Sequence, residues 1–266
     1  MIQNLRVTPE QEALLLKEGY LSYTMLGHGL TALRRASILD KGSFYHAFFA
    51  LTIGLERLMK LMLIQKYRVE HKNSFPDNGY LRQIGHNIGR LFVEVGGDVG
   101  GIYSNVKDQE VVNDMLNVLT CFANQARYYN LDTLTSNQLS AGRDPIKDWK
   151  DIQEKIVSVK QLKLSLTEGE RQFANFINDL SYTRIFDAND QIIEDFTELV
   201  ATSKLEDKTQ GYATHYVLKI IMHLADILKN TEYEAHLYPY LREFFAGFND
   251  YGRTPSQIRR KRNWSF

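Results

Sequence analysis

The stretch from Phe44 to Leu63, FYHAFFALTIGLERLMKLML, is almost entirely apolar, yet it carries Glu56, Arg57 and Lys60 near its middle. Its large apolar residues recur every three or four positions, which is the spacing of one face of an α-helix. Similar spacing continues along the chain, and the alternation of apolar and polar residues that is typical of β-strands is essentially absent. The sequence therefore predicts an all-α fold, and charges on so apolar a helix need a structural or chemical reason.

Three segments carry the sequence signature of a helix N-terminus. Thr8 and Thr254 each precede a proline and have a glutamine three positions later, and Thr167 is followed three positions later by Glu170. In such a capping box the threonine side chain caps the first turn, and the Glu or Gln side chain bonds back to the threonine backbone. We therefore predict that a helix begins directly after each of these threonines.

The first half of the chain is predicted to form four helices with short connections, as in an up-down helical bundle. A polar stretch then precedes the pair Asp144-Pro145, so we predict a helical bundle over residues 1–142 and a C-terminal helical region with a basic tail over residues 143–266. The predicted helices span about residues 9–39, 43–67, 79–95, 107–131, 145–157, 168–183, 189–201, 211–228 and 232–248, with a short basic helix from residue 255.

The distribution of charge limits how this chain can meet nucleic acid. It has 32 basic and 32 acidic residues, but five basic residues and no acidic residue lie from Arg253 to the end. The remainder is therefore mildly acidic, which does not fit a general nucleic-acid coat. Any recognition of phosphate must come from local clusters of basic residues.

The sequence favours a soluble cytoplasmic protein without a metal or another cofactor. Cys121 is the single cysteine, so an intramolecular disulfide and a cysteine-based metal site are excluded. His215 and His223 share a helix face with Lys219, whose positive charge disfavours a metal ion between them. No apolar run reaches the roughly 18 residues that a membrane span requires, and the N-terminus lacks the layout of a signal peptide. We therefore predict no contact with membranes.

Three short motifs in the first half suggest a family. The second predicted helix contains G-x-E-R-x-x-K from Gly54 to Lys60, the third contains G-H-N-x-x-x-L from Gly85 to Leu91, and the fourth ends in QARYY at Gln125 to Tyr129. Together with the long first helix, these motifs resemble HEPN domains over about Gln11 to Thr135, so the resemblance implies that the bundle predicted over residues 1–142 is HEPN-like. Many HEPN proteins are metal-independent ribonucleases, or partners of nucleotidyltransferases, in bacterial toxin–antitoxin and phage-defence systems. The resemblance also makes a homodimer plausible.

The chain departs from the HEPN pattern where catalytic members carry a histidine. Those nucleases have an arginine followed four to six positions later by a histidine on the last helix of the bundle. Here that helix reads RYYNLD from Arg127, and Asp132 stands near the expected histidine. His86 stands four positions after Arg82, but both residues lie on the third predicted helix rather than on the last. The resemblance therefore implies either a metal-independent endoribonuclease or a non-catalytic scaffold for dimerisation or partner-protein binding.

Arg82, His86 and Arg90 recur every four positions, so one helix would present them as a cationic stripe. Arginine offers phosphate a fixed fork of donors, and a histidine can move a proton to or from a ribose hydroxyl. We predict Arg82 and Arg90 as binding residues for RNA or a nucleotide phosphate, and His86, Arg127 and Glu56 as catalytic residues. The alternative is a solvated helix face with His86 packed against a neighbour.

Glu56 and Lys60 are four positions apart in the order that favours an ion pair on a helix. A purely structural pair is one interpretation, because breaking a desolvated pair costs several kcal/mol. The other is that Glu56 reaches across the bundle to Arg127 or His86 and orients it. We include Lys60 among the predicted phosphate-binding residues.

Tyr128 and Tyr129 follow Arg127 at the end of the fourth predicted helix. Two tyrosines beside an arginine can stack a base and hold its phosphate, as aromatic and arginine surfaces do with single-stranded nucleic acid. We predict both as RNA-binding residues. Core aromatics at a helix end are the alternative.

The C-terminal segment SQIRRKRNWSF combines a basic cluster with two aromatic residues. We predict Arg259, Arg260 and Arg262 as RNA-binding residues on a capped helix. This segment, which ends with Trp264 and Phe266, could dock on RNA, on an acidic partner, or on the acidic remainder of its own chain. A solvated terminus is the remaining alternative.

Overall fold

The computed structural model describes residues 7–83, 85–135, 143–249 and 252–264. Within them the chain forms a bundle of twelve α-helices with one two-stranded antiparallel ribbon, so the predicted all-α class is confirmed. None of the described helices has both the length and the apolar character needed to cross a membrane. The elements are α1 (Pro9–Arg35), α2 (Gly42–Glu70), α3 (Asn78–Arg82), α4 (Ile88–Glu94), α5 (Val99–Ile102), α6 (Val106–Asn124), α7 (Tyr129–Thr135), α8 (Pro145–Val159), α9 (Glu168–Leu180), β1 (Ile185–Phe186), β2 (Ile192–Ile193), α10 (Phe196–Glu234), α11 (Arg242–Phe245) and α12 (Pro255–Arg260).

Helices α1 and α2 form a closely packed antiparallel pair at the centre of the bundle. A Cβ atom on Gly54 would lie 2.8 Å from Cγ of Leu26, and one on Gly29 would lie 2.7 Å from Cγ of Leu51. Ser22 adds a hydrogen bond of 3.2 Å from its hydroxyl to the Gly54 carbonyl. Because both glycines lack a side chain, the two helix backbones approach closely enough to bury most of the apolar run in α2.

All three predicted capping boxes are present. The hydroxyls of Thr8, Thr167 and Thr254 each accept a hydrogen bond from the backbone N–H three residues later, and the Gln or Glu side chain at that position accepts one from the threonine N–H. These bonds satisfy donors that the first turn of a helix leaves unpaired. The starts of α1, α9 and α12 are therefore set by local sequence, as predicted.

The predicted helices over residues 189–201 and 211–228 are wrong as separate elements. Residues 196–234 form one continuous helix, α10, while Ile192–Ile193 form the second strand of the ribbon. Gly211 does not break α10. A Cβ atom there would lie 2.8 Å from the carbonyl oxygen of Arg259, so this glycine admits the backbone at the end of α12. Gly211, which in the sequence looks like a break between two helices, is thus required for the close approach of two backbones.

Two further predicted helices do not extend over their full predicted length. α1 stops at Arg35 rather than near residue 39, and the N–H of Ile38 donates a 2.7 Å hydrogen bond to the carboxylate of Glu206 on α10. The helix predicted over residues 232–248 is interrupted between residues 235 and 241, where Pro239 has no N–H to offer a helix. A contact distant in sequence and a proline therefore override the apolar spacing at these two places.

One cluster of buried apolar side chains includes helices from both halves of the chain. α8 packs on α6, and α10 packs on α1 and α2. The rings of Trp149 in α8 and Tyr216 in α10 are buried in this cluster. Residues 136–142, next to the predicted boundary between a bundle and a C-terminal region, lie outside the described residues. The division of the chain at residue 142 stays a prediction.

The basic C-terminal segment folds back onto the chain, so the alternative of a solvated terminus is wrong. Trp264 is fully buried, and its backbone N–H donates a 2.8 Å hydrogen bond to the hydroxyl of Thr31 in α1. Arg262 forms an ion pair of 2.7 Å with Asp207 of α10. The segment therefore docks on its own chain, which is one of the predicted possibilities. Phe266, the other aromatic residue of this segment, lies outside the described residues.

Candidate phosphate-binding site

The third predicted helix is two short helices with a turn between them, so the predicted single helix and its stripe of Arg82, His86 and Arg90 are wrong. α3 ends at Arg82, and Gly85 has a φ of 65°, a left-handed conformation that glycine adopts readily. Asn87 then caps α4 by accepting a 2.8 Å hydrogen bond from the N–H of Arg90. The regular spacing of the basic residues continues across this break and hides it.

The turn between α3 and α4 brings His86 to Glu56 on α2. Nδ1 of His86 lies 3.0 Å from each carboxylate oxygen of Glu56, and Nζ of Lys60 donates a 2.6 Å hydrogen bond to the same carboxylate. Of the partners that the sequence suggested for Glu56, Lys60 and His86 are thus in contact with it, while no contact with Arg127 is formed among the described residues. Because the carboxylate accepts a hydrogen from Nδ1, Nε2 is the ring nitrogen left free for a ligand. The side chain of His86 is 61% exposed, so a ligand can reach it.

The charge state of Glu56 follows from its surroundings. Burial by itself raises the pKa of this carboxyl, but the hydrogen bonds and charges of Lys60 and His86 outweigh burial, so the pKa lies below its ordinary value. Glu56 is therefore ionised at neutral pH. A carboxylate in this position holds the imidazole in one orientation and stabilises it when it gains a proton.

Arg127 lies at a break in the fourth predicted helix, which is a correction to the continuous helix over residues 107–131. α6 ends at Asn124, Gln125 leaves helical geometry with a φ of −137°, and a single 3₁₀ turn leads into α7. The guanidinium carbon of Arg127 lies 5.9 Å from the ring centroid of Phe49 on α2. Its Nε is buried without a hydrogen-bond partner among the described residues. Because Arg127 lines the pocket described below, its guanidinium charge can meet an anion there.

Four of the predicted site residues line one open pocket of about 510 Å³. Glu56 and Lys60 come from α2, His86 comes from the turn before α4, and Arg127 comes from the turn after α6. Apolar side chains form much of the remaining wall, so the pocket offers both an anion-binding side and an apolar side. The other lining residues are Glu18, Ile53, Arg57, Leu61, Ile64 and Leu81.

The charges that line the pocket are unevenly paired. Arg57 forms an ion pair with Glu18 of α1, and Lys60 forms one with Glu56. Arg127 has no carboxylate partner among the described residues that line the pocket. The pocket therefore carries a net positive charge of one while His86 is neutral, and protonation of His86 would raise it to two. This balance favours an anionic ligand.

Glu18 and the apolar wall are the parts of the site that sequence reasoning missed. Glu18 reaches the pocket because α1 and α2 are antiparallel, which brings it to Arg57. The small residues Gly29 and Gly54 signal a close contact between two helices, and this is the sequence feature that could have located Glu18. The apolar wall residues occur at ordinary core spacing and carry no distinctive signal.

The other residues predicted near this site do not line the pocket. Arg82 is exposed on α3, and Arg90 pairs with Glu94 at 3.6 Å. Tyr128 is 64% exposed, and Tyr129 is half-buried at the start of α7. Arg82 and Tyr128 each follow a lining residue directly in the chain, so they stand next to the pocket rather than in it.

The arginines of the C-terminal segment belong to a different surface. The guanidinium carbon of Arg259 lies 4.4 Å from the ring centroid of Tyr212 on α10, and Arg262 is paired with Asp207. Arg260 is exposed. None of the three lines the pocket that contains His86 and Arg127. The contacts of Arg259 and Arg262 with α10 give these two arginines a structural role.

His215 lies on α10, away from the lining of the pocket, in a strongly basic environment. Burial, together with the positive charges of Lys219, Arg259 and Lys160, lowers its pKa to about 4. Its Nε2 is buried and has no hydrogen-bond partner among the described residues. These surroundings hold the imidazole in its neutral form in the folded chain.

The free energy of unfolding is expected to fall as the pH drops from about 6.5 to 4. In this window His215 takes up a proton in the unfolded chain but not in the folded chain, because its pKa is ordinary in the first and lowered in the second. Urea denaturation at pH 7 and at pH 4 measures this fall. Between the two pH values, the free energy of unfolding of His215→Gln should fall by about 2–3 kcal/mol less than that of the wild type. His28→Gln, at an exposed position of α1, should follow the wild type. Equal losses for His215→Gln and the wild type would contradict this account of His215.

Comparison with protein-family models, with curated proteins and with solved structures finds no match to this chain. The resemblance to HEPN domains therefore stays a prediction that rests on the sequence motifs. Function has to be argued from the side chains that line the pocket.

Proposed function

We propose that this pocket binds a phosphate group of RNA and that the chain is a metal-independent endoribonuclease. The observation that carries the proposal is the meeting of Glu56, His86 and Arg127 around one opening. Arg127 and His86 line the same pocket, and the carboxylate of Glu56 fixes the orientation of the His86 ring. An arginine next to an oriented histidine can hold a phosphate and move a proton near it.

The proposed reaction uses the 2′-hydroxyl of RNA as the nucleophile. Nε2 of His86 accepts the proton of that hydroxyl, and the oxygen attacks the adjacent phosphorus. The bond from phosphorus to the 5′-oxygen breaks, which yields a 2′,3′-cyclic phosphate and a 5′-hydroxyl that takes its proton from solvent. Arg127 stabilises the negative charge on the phosphate oxygens, and Glu56 stabilises the imidazolium that forms.

The size and the apolar wall of the pocket support a nucleotide as the bound unit. A volume of about 510 Å³ lies within the roughly 300–1,000 Å³ of typical small-ligand pockets. Leu61, Ile64 and Leu81 offer an apolar surface to a base while the phosphate meets Arg127. Tyr128, exposed immediately after Arg127, is available to stack a neighbouring base.

The cellular setting is a further part of the proposal and rests on the sequence. The HEPN resemblance suggests a bacterial defence or toxin–antitoxin system in the cytoplasm, where RNA is the available substrate. A nuclease of this kind would act without a metal ion, and Arg127, whose charge no carboxylate of the pocket lining neutralises, would face the phosphate.

Substitution of Arg127 tests the binding step. We expect Arg127→Ala to raise the Kd for a labelled single-stranded 2′-O-methyl RNA, which cannot be cleaved, by about 10- to 100-fold, because hydrogen bonds between charged groups contribute about 1.5–3 kcal/mol. Fluorescence anisotropy at low salt in the presence of a chelator measures this Kd. Lys208→Ala, which removes a positive charge from an exposed position of α10, should stay within about twofold of the wild type.

Two outcomes of this experiment would overturn the proposal. Equal Kd values for the wild type and Arg127→Ala would place the RNA elsewhere on the chain. Absence of binding by the wild type at low salt would leave the alternative function, a non-catalytic scaffold that binds a protein partner.

A further inference from the structure

Another pocket, with a volume of about 260 Å³, lies between α8 and α10 and is termed the α8–α10 pocket. On each helix the lining residues occur at positions i, i+3, i+4 and i+7, so they share the face with which the two helices pack together. Small ligands often bind between the helices of a bundle. The lining residues are Lys150, Gln153, Glu154 and Val157 of α8, Leu164 after α8, and Thr202, Leu205, Glu206 and Thr209 of α10.

Glu206 brings a buried carboxylate to the α8–α10 pocket. The residue is 6% exposed, and its Oε2 accepts the 2.7 Å hydrogen bond from the N–H of Ile38. Burial raises the pKa of this carboxyl, while the N–H of Ile38 and the positive charge of Lys150 oppose the rise. No basic side chain in the described part of the chain forms an ion pair with Glu206. The carboxylate can therefore gain from a cation that enters the pocket.

Two donors on α8 line the same pocket. Lys150 is half-buried and forms no ion pair with a described residue, so its ammonium group can bind a carboxylate. Gln153, one turn later, is 3% exposed, and its Nε2 is buried without a hydrogen-bond partner among the described residues. The amide of a glutamine turns over a broad range about its last torsion, so Nε2 can reach an acceptor in the pocket. The α8 side therefore suits an anionic group, whereas Glu206 on the α10 side suits a cationic group.

The size and the apolar wall of the α8–α10 pocket limit what can fill it. A volume of about 260 Å³ lies just below the roughly 300–1,000 Å³ of typical small-ligand pockets, so the ligand is smaller than a nucleotide. The lining carries one positive and two negative charges, which disfavours a phosphate group. Val157, Leu164 and Leu205 offer an aliphatic surface to the remainder of the ligand.

We infer that the α8–α10 pocket binds a free aliphatic amino acid, such as valine, leucine or isoleucine. The ammonium group of the amino acid meets Glu206, and its carboxylate meets Lys150 and the amide of Gln153. Its side chain lies against the aliphatic wall. Each charge of the ligand thus meets an opposite charge at a place partly removed from water, where such pairs are strongest. An amine or a carboxylic acid alone would use one side of the pocket and leave the other side unpaired.

The α8–α10 pocket is separate from the proposed RNA site. It shares no lining residue with the pocket that contains Glu56, His86 and Arg127. The inference therefore does not rest on the proposed ribonuclease activity. A chain that binds leucine and does not cleave RNA would support the one and contradict the other, and the reverse result is equally distinct.

Isothermal titration calorimetry of the full chain with leucine and two of its analogues tests the inference. We expect saturable binding of one leucine per chain at neutral pH. Isopentylamine lacks the carboxylate of leucine, and 4-methylpentanoate lacks its ammonium group. Each analogue should bind at least about tenfold more weakly, because each leaves one side of the pocket without its charged hydrogen bonds.

Four variants locate the binding site. Glu206→Gln keeps an acceptor for the N–H of Ile38 but removes the charge, so the Kd for leucine should rise at least about tenfold. Lys150→Met should weaken the binding of leucine but not that of isopentylamine. Thr202→Phe fills the pocket from a half-buried position of α10 and should block leucine while Glu206 stays in place. Glu234→Gln, at an exposed position of α10, is the control and should bind leucine as the wild type does.

Three results would overturn the inference. The first is a wild type that shows no saturable binding of valine, leucine or isoleucine. The second is isopentylamine or 4-methylpentanoate binding as tightly as leucine, since the ligand would then need only one of its charges. The third is leucine binding with an unchanged Kd in Thr202→Phe, provided that circular dichroism shows this variant to be folded, because leucine would then bind elsewhere.

Discussion

Replacing His86 with alanine is expected to lower the rate of RNA cleavage by about 10²- to 10⁴-fold, the usual contribution of a general base. Nε2 of His86 is the ring nitrogen that the bond to Glu56 leaves free, and it borders the same opening as Arg127. Binding should change little, since the proposal assigns the phosphate contact to Arg127. Single-turnover cleavage of end-labelled single-stranded RNA in the presence of a chelator measures the rate.

Three controls separate this prediction from contamination by another nuclease. His28→Ala, at an exposed position of α1, should cleave RNA at the wild-type rate. Glu56→Gln keeps a hydrogen-bonding group beside His86 but removes the charge, so it should also slow cleavage. An RNA with a single 2′-deoxy nucleotide should resist cleavage at that position. Equal rates for the wild type and His86→Ala, or no cleavage by a wild type that binds RNA through Arg127, would exclude His86 as the base.

Replacing Glu232 with alanine is expected to lower the free energy of unfolding by about 3–5 kcal/mol. Glu232 is fully buried near the end of α10 and accepts hydrogen bonds of 2.9 Å and 3.1 Å from the N–H groups of Leu241 and Arg242. Gln65 of α2 joins it at 3.3 Å and in turn accepts a hydrogen bond of 2.5 Å from the buried Arg68. The substitution would leave buried donors unpaired and a buried positive charge without compensation.

Urea denaturation followed by far-ultraviolet circular dichroism measures this loss. Glu234→Ala, two residues later at an exposed position of the same helix, should stay within about 0.5 kcal/mol of the wild type. Adding Arg68→Met to Glu232→Ala should recover part of the loss, because the buried charge is then removed as well. A loss below about 1 kcal/mol for Glu232→Ala would refute the role assigned to this network, which fixes the end of α2 to α10.

The parts of the fold that depend on neighbouring residues could be predicted from the sequence. The capping boxes at Thr8, Thr167 and Thr254 locate three helix starts, because every atom they need lies within four residues. The break around Gly85 was missed although its signals are local. Gly85 can end one helix, and Asn87, two positions later, can cap the next one. The regular spacing of the basic residues masked these two signals.

The parts that depend on distant contacts could not be predicted in this way. Trp264 docks beside Thr31 through a pairing that spans most of the chain, and no sequence pattern fixes that register. Gly211 resembles a helix breaker, yet it stays inside α10 because another backbone approaches it. Tertiary packing therefore decides these elements.

In the candidate site, too, the sequence indicates which residues matter, whereas their contacts depend on the folded structure. Glu56, Lys60 and His86 were predicted because charges on an apolar helix and a histidine between arginines are unusual in a core. Their contacts with one another follow from the turn at Gly85, which spacing along a helix did not predict. The unpaired Nε of Arg127 depends on the end of α6 and is visible in the structure but not in the sequence.

The side-chain signals of the seven histidines, followed by nuclear magnetic resonance during titration with uncleavable 2′-O-methyl RNA, test most directly whether the phosphate lies in this pocket. His86 is assigned by the signal that disappears in His86→Ala. The account predicts that the His86 signal shifts as RNA binds and that the shift is lost in Arg127→Ala. A His86 signal that stays fixed while the RNA is bound would contradict the account.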